Sequence, residues 1–532
     1  MLSQEDNSPA PSANRQIARA AGTVMVALVV SQLVGLLAKS LVGQTFGTGP
    51  ESEAFFAANR FSEILFNLVA GGALASAFIP TFSSILVLEE RRTAWKLAAA
   101  VANWVTLILL LLCSLAAVFA PQVVRYVLAP GFSATDPAKE ALTVALLRIQ
   151  LPSALIFGLS GLVMGILNAH QRFLLPALAP AMYSLGWVGS VLLLTPHLGI
   201  YGLAYGVVIG AGLHLLVQLP ALLRLPAMQY RPTLGLDLPA VREVARLMGP
   251  RLLGVAVVQL NFLLNTYLAS FQPDGSVSGI SYAFPLMLMP QAAIAQSVAT
   301  AALPTFSAQV ARGQLGEMRA SLAATLRGVL FLAIPASVGL VLLRTPVVAL
   351  VYHSSEFTDQ SVHLVAWALL WYAAGLIGHC VVEIVSRAFY ALHDTRTPVL
   401  VGTAAMTLNL GFSLLFSAAF TRLGWMPHGG LALANSLATF LEMIGLLVLM
   451  RRRLGGLEGR LLWQAVAQAG VSALAMGAGL LVWLSLTAAQ PAWLVALGGV
   501  AVGGAIYAGL LAVQAPPELK LVWSLLRRRL AR

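Results

Sequence analysis

The sequence predicts an all-α polytopic membrane protein. It has fourteen transmembrane helices, arranged as two parallel six-helix lobes with two further C-terminal helices. Three observations carry this reading. Apolar runs of about 20 residues, long enough to cross a hydrocarbon core, recur along all 532 residues. The loops between them alternate between rich and poor in Lys and Arg. Short motifs recur, in order, in the two halves of the chain.

Composition agrees. Hydrophobic residues make up 59% and charged residues only 10%, where soluble domains carry about 25% charged residues. A transmembrane barrel would show alternating segments of about ten residues instead. The net charge of +12 could suggest a nucleic-acid partner. Its basic residues sit in short loops, however, where they act as orientation signals, so no nucleic-acid partner is expected. Cys113 and Cys380 both lie in apolar runs and offer neither a disulfide framework nor metal spacing. The first sixteen residues read as a polar tail, and no cleavable signal peptide follows.

The spans are placed at 20–43, 54–86, 97–122, 141–168, 174–195, 198–223, 245–271, 279–309, 322–346, 363–391, 397–420, 428–450, 463–486 and 492–514. One set of loops holds Arg91, Arg92 and Lys96, then Arg172, then Arg224, Arg231, Arg242 and Arg246, and later Arg451, Arg452 and Arg453. The alternate set holds Glu51 and Glu53, Asp136, Lys139 and Glu140, Asp274, and Glu356 with Asp359. By the positive-inside rule both termini are cytoplasmic. The expected organisation is a polar cytoplasmic tail (1–19), an N-lobe (20–224), a cytoplasmic linker (225–244), a C-lobe (245–452), two further spans (453–514) and a basic amphipathic tail (515–532). That tail can lie on an anionic leaflet or serve only as a topological stop.

The repeat supports the lobes. Gln32-Leu33 recurs as Gln259-Leu260, Pro80-Thr81-Phe82-Ser83 as Pro304-Thr305-Phe306-Ser307, and Ala145-Leu146-Leu147 as Ala368-Leu369-Leu370. Ala169 and Pro176 answer Ala391 and Pro398. The interval is nearly constant and equals six spans. An even number preserves orientation, so the halves are parallel repeats, the plan of a transporter that rocks around a central cavity.

Charges inside spans face a cavity or a partner, because lipid cannot solvate them. They include Lys39, Arg60, Glu63, Arg148, Arg251, Arg327, Arg344, Glu383, Arg387 and Glu442. Arg60 and Glu63 are three apart and share a helix face. They read either as part of a cationic patch for an anionic headgroup or as a clamp that satisfies itself. Arg148 is open in the same way. Arg251, Arg327, Arg344 and Arg387 lie near span ends and read as snorkelling. Amides at Gln32, Asn67, Gln150, Gln259, Asn261, Asn265 and Asn409 can bind sugar hydroxyls or join helices. No Gly-rich phosphate loop with its Lys-Ser/Thr is present. His353, Glu356 and Asp359 have loosely metal-like spacing but read as a solvated loop.

Several stretches resemble the MurJ/MviN lipid II flippases of the multidrug/oligosaccharidyl-lipid/polysaccharide exporter superfamily. They are FGTGPESEAFFAANR, GGALASAFIPTF, LAPGF, ILNAHQRFLLPALAP, MGPRLLGVAVVQLNFLLNTYLASF with GSVSGISYA, ALPTFS and FYALHDTRTPV, in family order over about residues 20–400. The resemblance implies a flippase, not an enzyme. Its substrate would be an undecaprenyl-pyrophosphate-linked peptidoglycan precursor, moved from the inner to the outer leaflet of a bacterial inner membrane. Arg and Lys can bind such phosphate oxygens. Glu53 matches the family's acidic position before the paired phenylalanines.

The resemblance departs at the family's cavity arginines. The first span has Gln32 and Ala38-Lys39 where the family resembles an Arg and an Arg-Asp. Phe66-Asn67 stands for an arginine pair, and Pro285 for a further arginine. The expected substrate-binding set is Gln32, Lys39, Glu53, Arg60, Glu63, Asn67, Arg148 and Gln259, with no catalytic residue, metal or cofactor. The expected partners are a lipid-linked glycan pyrophosphate and membrane lipids, with cell-wall synthesis proteins an open possibility. The alternatives are a flippase for another lipid-linked glycan, a drug/cation antiporter built on Glu63, and a non-transporting scaffold for cell-wall enzymes.

Overall fold

A computed structural model describes residues 13–69, 73–87, 91–226 and 228–514. Among these residues every regular element is a helix and none is a strand. This is what a chain without water around its backbone must do, since helices satisfy their peptide groups internally. Eleven helices are long and apolar enough to cross a membrane, or up to 13 if each of two bent pairs is one span. One such pair is Asp359–Ala374 with Leu376–Ala391, bent by 45° at Gly375.

The expected second span, 54–86, falls on two helices: α2 (Pro50–Val69) and α3 (Ala73–Val87). Gly71-Gly72 and the basic tail 515–532 lie outside the described residues. The apolar part of α3 is short, Ala77–Leu86, and contains Pro80, which cannot donate the helical hydrogen bond at its own position.

The described chain forms two compact units. One holds the chain up to Ala38 with Ser62–Val118 and Arg148–Val255; the other holds Lys39–Phe61, Phe119–Leu147 and the chain from Ala256 onward. Helices α1 (Ala13–Phe46), α2, Pro137–Ala169 and Pro239–Ala269 contribute to both.

In the first unit, the helices Leu174–Leu193 and Ile200–Leu216 approach so closely that a Cβ on Gly186 would lie 2.3 Å from the Gly210 Cα. In the second, Arg396–Arg422 and His428–Arg453 pack with a Cβ on Gly430 meeting the Phe416 carbonyl carbon at 2.6 Å. Small residues are the usual means of close helix approach in lipid, where no hydrophobic force drives association.

The repeat has a local counterpart. After Ala169 and after Ala391 the chain turns through a non-glycine residue in the left-handed region, Gln171 at φ 57° and His393 at φ 58°. In each turn the next amide reaches back to the preceding helix, Arg172 N–H to the Leu167 carbonyl (2.9 Å) and Asp394 N–H to the Phe389 carbonyl (3.0 Å). This is the helix-ending geometry normally given to glycine. Its use of Gln and His at matching places supports a shared ancestry of the two halves.

Candidate functional site

In the second unit, the Lys/Arg-poor loops come together around one buried cation. Asp136 accepts hydrogen bonds from the amides of Ala138 (3.0 Å) and Lys139 (3.1 Å). With Pro137 after it, Asp136 caps the start of the helix Pro137–Ala169. The cap points Lys139 inward. Its Nζ donates to the Glu53 carboxylate and, at 3.0 Å, to Asp274 Oδ1. It also lies 4.2 Å from the centre of the Phe132 ring. The other Glu53 oxygen accepts the Val277 N–H at 2.8 Å, at the N-terminus of the helix Ser276–Gln291, where an anion is favoured. Burial pushes the Glu53 carboxyl up from its ordinary value, against the pull of Lys139 and the Val277 amide.

Further bonds close the same end. Ser52 pairs with Ser278 and Thr48 with Ser361, each at 2.8 Å. Ser40 and Gln44 both donate to the Val351 carbonyl. Gly131 N–H donates to Ser270 Oγ at 3.0 Å. A Cβ on Gly131 would meet the Ser270 carbonyl oxygen at 2.0 Å, so only glycine allows this approach. Behind these bonds Tyr282 contacts Phe56 and Tyr352 at 5.0 Å each, and Tyr352 stacks on Phe357 at 5.3 Å. The result is a continuous polar and aromatic seal.

Glu53 is therefore the centre of this seal, in the company of Lys139 and Asp274, two residues that the sequence places only in the Lys/Arg-poor loops. Arg60, half-buried in the same unit, places its guanidinium 5.5 Å from the Phe262 ring. Phe262 touches Phe284, and Phe284 touches Tyr372, at 5.6 and 5.2 Å. An arginine against an aromatic wall is held there by cation–π attraction. Lys39 and Gln259 also belong to this unit, half-buried and buried respectively.

Gln32, Glu63, Asn67 and Arg148 belong to the other unit. Gln32 is exposed; Glu63 and Asn67 are half-buried. The helix face beside them presents Phe66 to Phe157 at 4.5 Å, near His214, whose Nδ1 lies 2.7 Å from Ser160 Oγ. Arg148 is exposed and donates from Nε to the Ala117 carbonyl at 3.1 Å. Its charge thus sits at the C-terminal end of α4 (Arg91–Val118), where a cation is favoured. Asn261 and Asn409 are joined at 3.2 Å, which supports the helix-joining reading of those two amides. His353 lies 3.4 Å from Asp359 in an exposed pair. No group of three His, Cys, Asp or Glu among the described residues could hold a metal ion.

Residues 42–497 match the model of the family described as lipid II flippase MurJ. The chain belongs to this family. Among relatives, it is 30% identical over 435 residues to the lipid II flippase MurJ of Burkholderia cenocepacia, covering 77% of this chain and 84% of that protein. It is 28% identical over 423 residues to the probable lipid II flippase MurJ of Vibrio cholerae, covering 78% and 79%. Among solved structures, a lipid II flippase MurJ in an inward closed conformation matches with a TM-score of 0.77 at 24% identity, over 96% of this chain and 99% of that one. An inward-facing multidrug resistance MATE transporter of the MOP superfamily matches with a TM-score of 0.66 at 17% identity, over 82% and 99%. At these identities the solved structures bear on the fold alone. They give this MurJ-family chain the fold of those structures.

Proposed function

We propose that this chain is a lipid II flippase, a multi-pass transporter of the inner membrane and not an enzyme. It carries a lipid-linked pyrophosphate glycan from the inner to the outer leaflet by alternating access. The observation that carries the reading is the family match over residues 42–497. The seal around Lys139 suits a carrier closed on the side of its Lys/Arg-poor loops. The alternation of basic loops supports cytoplasmic termini, so the sealed side would be the outer one.

Lys39 and Arg60 are the cations we assign to the pyrophosphate, and Glu63, Asn67, Gln32 and Gln259 are the further polar residues of the expected set. Arg60 suits the role because a guanidinium can meet phosphate oxygens in a planar fork, and the Phe262 ring helps to hold it in place. Arg148 remains in the set, with a second duty at the end of α4. Glu53 acts through the seal. Contact with cell-wall synthesis proteins through the basic loops fits the same reading.

Translocation of fluorescent lipid II in proteoliposomes, under an imposed membrane potential, tests this. The wild type should flip lipid II. Lys39→Ala/Arg60→Ala should lose at least tenfold in rate, about 1.4 kcal/mol, with thermal stability unchanged. A double variant that flips at the wild-type rate would remove the site assignment. A folded wild type that flips other lipid-linked glycans but not lipid II would overturn the substrate.

A further inference from the structure

The segment 228–238 of the linker is not loose. It lies along α4, held at successive points. Lys96 pairs with Asp237 at 2.5 Å. Asn103 Nδ2 donates to the Thr233 carbonyl at 2.8 Å, and Trp104 Nε1 to the Leu234 carbonyl at 3.0 Å. The Tyr230 hydroxyl donates to Asn103 Oδ1 at 2.7 Å. Gly235, at φ 58°, brings the strap against the helix: a Cβ there would meet the Ala100 Cβ at 2.7 Å.

From Lys96 to Asn103 the strap follows α4 for roughly 10 Å. It stops just short of Leu107, Ile108, Leu110 and Leu111, which are exposed as lipid-facing residues are. The strap therefore lies against the part of α4 that precedes this exposed apolar stretch, with Trp104 and Tyr230 beside it, rings of the kind that collect at membrane boundaries.

Two features of the strap are unlike a solvated linker. Tyr230, Leu234 and Leu236 are exposed, Leu236 at 66%. Arg231, Arg242 and Arg246 are exposed in the strap and in the helix turns that follow it, and Arg91 and Arg92 at the start of α4. Apolar side chains beside arginines at a membrane boundary suit one partner. The leucines enter the acyl edge while the guanidinium groups take headgroup phosphates.

We propose that the strap 228–238, with the first turns of α4, is a binding surface for anionic phospholipid headgroups. Only the choice of leaflet, the cytoplasmic one, rests on the topology given above. The surface couples the linker between the two halves of the chain to the charge of the membrane around it.

The full chain, reconstituted in nanodiscs of phosphatidylcholine with or without phosphatidylglycerol, tests this. Phosphatidylglycerol should slow amide exchange over 228–238. It should also be retained over phosphatidylcholine in native mass spectra from mixed micelles. Replacing Arg231 or Arg242 by Gln should weaken that retention roughly fivefold per arginine. Leu236→Ser keeps every charge and should lose the slowed exchange while melting as the wild type does. Equal retention of the two lipids would overturn the proposal. So would full retention by R231Q/R242Q, or protection of the strap by soluble pyrophosphate as strong as that by phosphatidylglycerol. Nanodiscs present both leaflets alike, so a wrong topology would leave these results unchanged and would show only in side-specific labelling of the loops.

Discussion

Lys139 and Lys96 each hold an aspartate far away in sequence, in surroundings that differ sharply. The Lys139 side chain is 3% exposed and its partner Glu53 2%; Lys96 and Asp237 are 41% and 66% exposed. Taking Lys139 and Glu53 out of water costs several kcal/mol per ion, recovered only through close geometry and further hydrogen bonds. Here those are the Val277 amide, Asp274 and the Phe132 ring. Lys96 and Asp237 lose little water and gain little. The buried cluster therefore suits a joint that is either made or broken, whereas the exposed pair can only bias a position. A carrier needs both, a seal that switches and a strap that stays in register as it does.

The largest effect should come from breaking the seal on one side. Lys139→Ala leaves the Glu53 carboxylate buried beside an uncharged pocket, and should cost about 3–5 kcal/mol of stability, read as a drop in the melting temperature in detergent. Lys139→Met/Glu53→Gln removes both charges and should recover most of that loss, because Asp274 is 79% exposed and stays solvated. If the double variant is as unstable as the single one, the cluster is held by shape rather than by charge.

Gly131→Ala sharpens the comparison by touching the seal and no charge. The new methyl would press on the Ser270 backbone, which cannot swing aside as a flexible side chain can. Overpacking of this kind costs about 1–3 kcal/mol, so the melting temperature should fall by less than for Lys139→Ala. A larger fall would mean that backbone approach, and not the ion cluster, dominates the seal.

Much of this fold is legible in the sequence because it is written locally. The long apolar runs that become helices depend on residues within a few turns of one another. The seal is not written that way. Glu53 and Lys139 are 86 residues apart; Lys139 looks like an ordinary loop charge until the fold joins them, and Glu53 stands out only through the resemblance. Arg148 also gains a partner that its sequence neighbourhood does not show. In sequence it is an arginine within a span, yet the end of α4 beside it supplies a carbonyl partner. The residues proposed for the pyrophosphate come from sequence only through the resemblance.

The smallest effect, and the one that separates the two lysines most cleanly, is on pH. The hydrogen bond from Lys96 holds the Asp237 carboxyl below its ordinary value. A depressed carboxyl contributes stability that is present above the ordinary carboxylate value, about 4, and is lost as pH falls through the depressed one. Burial raises Glu53 instead, so its contribution is fully present below the ordinary value and fades as pH rises through the raised one. Acidification should then loosen the strap while leaving the seal closed. Nitroxide labels at Leu236 and at Phe271 read the two sites separately. Below about pH 4 the label at 236 should gain mobility slightly, and the one at 271 should not. Lys96→Ala should give the label at 236 that same mobility at neutral pH without lowering the melting temperature, because Asn103 and Trp104 still hold the backbone of the strap. Equal loosening at both labels would show that the two lysines respond to protons as one system, and the contrast between buried and exposed pairs would fail for this protein.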